Sequence, residues 1–174
     1  MACALAGVAA VAAGCFSTAS EAPKVDPSKP PIVPMPDPAS MHQVILPARE
    51  FVILNRLQDV TGTFGWVACG GQNEALYYGE VQLLFAFPKG VAEDRYIKQI
   101  VKMMVSHGWM DGPVEGDRSS GTLLHTNEVR AAISGGAAAY RELGKIRLSG
   151  ECRNTNDHRD DSAGIDITDQ LTQR

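Results

Sequence analysis

Seven prolines lie between Glu21 and Ser40: Pro23, Pro27, Pro30, Pro31, Pro34, Pro36 and Pro38. Proline fixes φ and offers no backbone N–H, so this density excludes helix and sheet and favours extended polyproline II. The segment divides the chain. A packed domain has to form after it. Anything before it is held at a distance, on the order of 60 Å for a 20-residue tether at about 3.1 Å per residue.

Ahead of the prolines, residues 2–14 are uncharged and consist only of Ala, Gly, Val, Leu and Cys. A run of about 15 apolar residues falls short of the roughly 20 needed to span a bilayer. It has the length of a signal-peptide core. Ala12, Ala13 and Gly14 then precede Cys15, and small side chains are what a signal peptidase requires near its scissile bond. The arrangement is that of a bacterial lipoprotein signal, residues 1–14, followed by a cysteine that carries palmitate and other acyl chains. Leu is usual three residues before that cysteine, where this chain has Ala12. The first basic residue is Lys24, whereas a signal peptide has a basic start, so a translation start further upstream is expected. An ordinary secretory signal and a cytosolic Ala-rich helix are the competing readings.

The cysteines bear on that choice. They are Cys3, Cys15, Cys69 and Cys152. If Cys3 leaves with the signal and Cys15 takes the lipid, one pair remains, and an even remainder in an oxidising compartment suggests a Cys69–Cys152 disulfide. Two buried thiols are the alternative. Neither cysteine has a second Cys or His at metal-ligand spacing. The expected location is the outer face of the cell membrane, with the lipid anchor as the one legible contact.

The division that follows is signal 1–14, disordered tether 15–40, folded domain 41–153 and an acidic mobile tail 154–174. The tail holds Asp157, Asp160, Asp161, Asp166 and Asp169 and no apolar run. Within the domain, a helix is expected over 39–60, with Pro47 as a kink or a first-turn residue and Gly62 as its stop. Phe64–Gly71 reads as a short extended segment. Glu74–Phe87 reads as the main strand, because Tyr77, Val81, Leu83, Phe85 and Phe87 fall on one face. Ile97, Ile100, Val101 and Met104 give Val91–His107 a helical stripe ending at Gly108. Thr122–Ser134 and Lys145–Arg153 read as two further strands. The fold class is α+β: a small antiparallel-rich sheet with two helices on one face, in the order helix-strand-helix-strand-strand.

Two stretches carry a family resemblance: Ile97-Lys98-Gln99-Ile100-Val101-Lys102-Met103-Met104-Val105-Ser106-His107-Gly108, and Leu143-Gly144-Lys145-Ile146-Arg147-Leu148-Ser149-Gly150-Glu151-Cys152. With the leader and tether, they make the chain similar to small mycobacterial lipoproteins of the LppA type. The resemblance implies a surface lipoprotein without an established enzymatic activity.

The residues name no reaction. His42, His107, His125 and His158 are scattered, and His107 suits a helix C-terminus. His158 sits in an acidic run that reads as solvated. Ser119-Ser120-Gly121 and Ser149-Gly150 lack a nucleophile-elbow context. Gly70-Gly71 and Gly135-Gly136 lack that of a phosphate loop. Glu115 and Asp117 share a loop without other catalytic partners. Net charge is −4 with no basic cluster, which argues against nucleic acid. The expectation is a noncatalytic binding or accessory module with no cofactor and no metal, whose protein or lipid partner the sequence does not name. The alternative is a carrier of an apolar ligand between helices and sheet, using Phe85, Phe87, Tyr96, Met103, Met104 and Trp109.

Overall fold

Pro36 and Pro38 begin a helix instead of prolonging the tether. The structure is a computed structural model and describes residues 32–70, 76–114, 119–135 and 142–173. Helix α1 spans Asp37–Asn55, with Pro36 at its N-cap and Pro38 in its first turn. There a missing N–H costs nothing and the fixed φ suits the helix. The tether boundary expected at residue 40 is therefore corrected to Pro36, and Ser40 is buried. The signal segment, Cys15 and the tether up to Pro31 lie outside the described residues.

Pro47 sits inside α1, which continues past it to Asn55. The expected helix end near Val60 is also moved. Arg56 (φ 51°) and Asp59 (φ 49°) take left-handed conformations that turn the chain directly into β1, Gln58–Ala68. Leu57 and Val60 are buried as expected, but outside the helix. Gly62 lies within β1, where an added Cβ would run into Leu171.

Strand β2, Tyr77–Ala86, pairs antiparallel with β1, and Tyr77, Val81, Leu83 and Phe85 alternate inward. Helix α2, Glu93–Ser106, buries Ile97, Ile100 and Met104. Both elements follow the expected periodicity, and Glu74 lies outside the described residues. Strands β3 (Met110–Asp111), β4 (Thr122–His125), β5 (Arg130–Gly135) and β6 (Leu143–Ser149) follow. The single strand expected over 122–134 is thus a hairpin. Thr126 makes the turn: its Oγ1 accepts from the Glu128 and Val129 N–H groups at 3.2 and 3.0 Å, and its own N–H donates to Val129 O at 2.8 Å. A hydroxyl satisfying backbone donors two and three residues on is turn chemistry.

The chain ends in β7 (Ile165–Asp166) and α3 (Thr168–Thr172). The mobile tail is therefore corrected. β7 pairs with β1 at Thr63 and Phe64, and Ile167 and Leu171 are 1% and 0% exposed in the core. These two apolar residues, one helical turn apart among aspartates, are too few to register as a run. Among the described residues, the sheet is antiparallel and seven-stranded, in the order β3-β4-β5-β6-β2-β1-β7. Its inward residues, among them Phe64, Val81, Phe85, Ile133 and Ile146, pack with the buried faces of α1 and α2 in one core. The class remains α+β with an antiparallel sheet. Among the described residues, the element count rises from three strands and two helices to seven strands and three helices.

Candidate functional site

Strand β2 lies between β1 and β6. Strands two places apart are about 9.5 Å from each other, too far for a disulfide, whose Cα atoms sit under about 7 Å apart. A local departure from the ladder closes the gap. Glu80 pairs with Ser149, but Tyr77 pairs with Asn154, so three steps along β2 answer five along the segment after β6. The two extra residues bulge out, and the bulge carries Cys152 across to Cys69 at the end of β1. The two are disulfide-bonded with Cα atoms 5.9 Å apart. Trp66 and Phe64 stand beside this end of the sheet, ring edge to ring face at 4.9 Å.

Just beyond the bulge the segment folds back as a polar cluster. Asn154 is fully buried, and its N–H and C=O both pair with Tyr77. Its side-chain NH₂ donates to Asp37 Oδ1 at 2.7 Å. His158, expected in solvent, is 8% exposed and stacks on Trp66 at 3.9 Å with Tyr77 at its edge. Its Nδ1 lies 2.7 Å from Asp161 Oδ2, and its Nε2 lies 3.3 Å from both Asp37 Oδ1 and Asn154 Oδ1. The ring is thus held by the N-terminus of α1 and by its own segment. No sequence signal joins Asp37 to residues more than a hundred positions away; only the fold does.

The Asn154 amide, followed by Asn156 and His158, holds the Asp37 carboxyl below its usual pKa. The native state therefore binds this proton less readily than the unfolded chain. Its stabilising contribution is complete above the ordinary carboxylate value and is lost as pH falls through the depressed one. Urea midpoints are expected to fall less steeply below about pH 4 in Asp37→Asn than in the wild type. Identical acid limbs would remove Asp37 from this account. Within the acidic run, Asp157 is occupied locally. Arg159 donates to both oxygens of Asp157 and lowers its pKa to about 2.

The other expected candidates do not converge. His42 is exposed on α1. His107 caps α2, its Nδ1 2.9 Å from Met103 O. His125 on β4 has Nδ1 3.1 Å from Gly112 O. Glu115, Asp117, Gly71 and Gly136 lie outside the described residues. Among the described residues, no three His, Cys, Asp or Glu side chains are grouped to hold a metal ion. The apolar set divides. Phe85, Met104 and Trp109 are buried in the core, and Trp109 meets Phe51 edge-on at 5.0 Å. Tyr96 and Met103 instead line a groove of about 610 Å³ between α1 and α2, with Leu54, Asn55, Ile100 and Lys102. Burial there pushes the Tyr96 phenol above its usual pKa.

These features define the class: an α+β domain of one sheet, stapled by a disulfide, whose last segment locks onto its first helix. The profile of the family described as "Putative lipoprotein LppJ" matches residues 36–170, and the chain belongs to that family. Proteins of that name from Mycobacterium tuberculosis (strains CDC 1551 / Oshkosh and ATCC 25618 / H37Rv) are 38% identical to it over 140 residues, 80% of this chain and 73% of theirs. One from Mycobacterium bovis matches to the same extent. The resemblance to small mycobacterial lipoproteins holds, with LppJ as the family. The matched region opens at the N-cap of α1 and closes within α3. The family unit thus includes the segment first read as a tail. No solved structure matches the chain.

Proposed function

We propose that the protein is an envelope lipoprotein held to the outer face of the cell membrane by a lipid on Cys15, and that its domain is a noncatalytic binding or accessory module. The observation that carries the attachment is the uncharged segment ending in Ala12-Ala13-Gly14-Cys15, found in a member of a lipoprotein family. The Cys69–Cys152 bond supports the same compartment, since such bonds persist where the surroundings are oxidising. The proline-rich tether gives the domain reach above the headgroups. The noncatalytic reading is supported by the use of three of the domain's four histidines: His107 and His125 each meet a backbone carbonyl, and His158 is packed into a structural cluster.

Carriage of an apolar ligand between helices and sheet is not the reading the geometry favours. Phe85, Met104 and Trp109 fill that space as core.

Attachment is tested in mycobacterial cells grown with labelled palmitate. The wild type is expected in the membrane fraction with label, and Cys15→Ala in the soluble fraction or medium without it. A variant that stays with the membrane, or a wild type that takes no label, would sink the anchor.

A further inference from the structure

The sheet face turned away from the helices carries Arg130 on β5, Arg147 on β6 and Glu80 on β2. Register places Arg130 opposite Ser149, Ser149 opposite Glu80, and Ala132 opposite Arg147. Residues two apart on a strand share a face, so both arginines and Glu80 stand around Ser149, with Ala132 at the remaining corner. Ser149 and Ala132 are too short to fill the space between the longer side chains. The result is a hollow of about 120 Å³, whose wall is completed by Tyr78 and Ser119.

Among the described residues, the charges that line this hollow do not balance. Arg147 is partly engaged: its Nη2 donates to Ser119 Oγ at 3.1 Å, and its Nε lies 3.9 Å from Glu80 Oε2. The Glu80 side chain is only 12% exposed, and its Oε1 accepts from Gln82 at 2.9 Å. Arg130 has no ion-pair partner among the described residues. Among the described residues, two guanidinium groups thus face one carboxylate. A guanidinium offers a planar fork of donors that a carboxylate can meet with both oxygens. Glu80, ionised, only accepts hydrogen bonds. It disfavours a bare anion and favours one that brings a donor of its own.

We infer that this hollow binds a small carboxylate carrying a hydroxyl or ammonium donor, with the carboxylate on Arg130 and the donor on Glu80. The site is independent of the attachment at Cys15.

Titrating the full-length protein with L-lactate, L-alanine, acetate and inorganic phosphate, followed by backbone amide chemical shifts, tests the assignment. Lactate or alanine is expected to move the Arg130, Arg147 and Ser149 amides saturably, and acetate to bind more weakly. Arg130→Gln removes the fork and is expected to weaken that binding by about tenfold or more, the scale of a charge-assisted hydrogen bond. Glu80→Gln is expected to narrow the gap between the donor-bearing acid and acetate, a change that a purely structural role for Glu80 would not produce. Ser149→Val fills the hollow while keeping both arginines, and is expected to abolish the response with shifts elsewhere unchanged. Three results would each overturn the assignment: no saturable response to lactate or alanine, an unaltered response in Arg130→Gln, or tighter binding of phosphate. Capture of an acidic peptide without a response to any small acid would overturn it too, and would give the face to a protein partner.

Discussion

A chain truncated after Arg153 is expected to lose cooperative unfolding altogether. The deletion removes Ile167 and Leu171, which are almost fully buried. Burying an aliphatic side chain of this size contributes about 1.5–3 kcal/mol. It also strips β7 from β1, takes the packed ring of His158 from Trp66, and removes Asn154, which pairs with Tyr77 and holds Asp37. The combined loss is on the order of 5 kcal/mol or more, against a total stability of about 5–15 kcal/mol for a typical domain. Thermal scans of the truncated and full-length chains are the check. A truncated chain that melts within a few degrees of the full-length one would return residues 154–174 to the status of a tail. Leu171→Ala is the graded version. It leaves a cavity over Gly62 and is expected to cost about 2–5 kcal/mol.

The same segment marks where the sequence was legible and where it was not. β2 and α2 could be read because their signal is local: Tyr77 to Phe85 alternate, and Ile97 to Met104 repeat at helical spacing. Pro36 and Pro38 mislead because proline density reads as exclusion of a helix, although Pro36 serves as the N-cap of α1 and Pro38 suits its first turn; Pro47 is carried within the helix, where the sequence already places it. The hairpin at Thr126 was hidden because its turn depends on a hydroxyl rather than on Gly or Pro. His158 reads as solvated because its neighbours are aspartates, while the groups that enclose it, Trp66, Tyr77 and Asp37, come from three distant places in the chain. The hollow over Ser149 was unreadable for the same reason. Arg130, Arg147 and Glu80 meet only through the register of β5, β6 and β2.

Removing the disulfide is expected to have the other large effect. Cys69 and Cys152 are 83 residues apart in sequence. Closing a loop of that length restricts the unfolded chain by about 4 kcal/mol in the chain-entropy account. At about 2–4 °C per kcal/mol for a domain near this size, the melting temperature is expected to fall by roughly 8–16 °C in the Cys69→Ala/Cys152→Ala double variant. The double change avoids leaving one reactive thiol. Intact mass before and after reduction comes first, with a gain of about 2 Da expected for one bond between two sulfurs; its absence would reject the bond. If the bond is present and the shift stays under about 3 °C, the loop-closure account fails, and the bulge at Glu151–Arg153 is fixed by other contacts. Those contacts are identifiable. Gln43 both accepts from the Glu151 N–H and donates to its carboxylate, and Arg153 O accepts from Met35 N–H at 2.8 Å. They tie the bulge to the start of α1, whereas the disulfide ties it to the end of β1. Of these contacts, the disulfide is the one that spans β2. Its loss is therefore expected to raise amide exchange first at Ala68, Cys69 and Tyr77, where β1 and β2 meet at their ends, and to leave the protection of β4 and β5 unchanged.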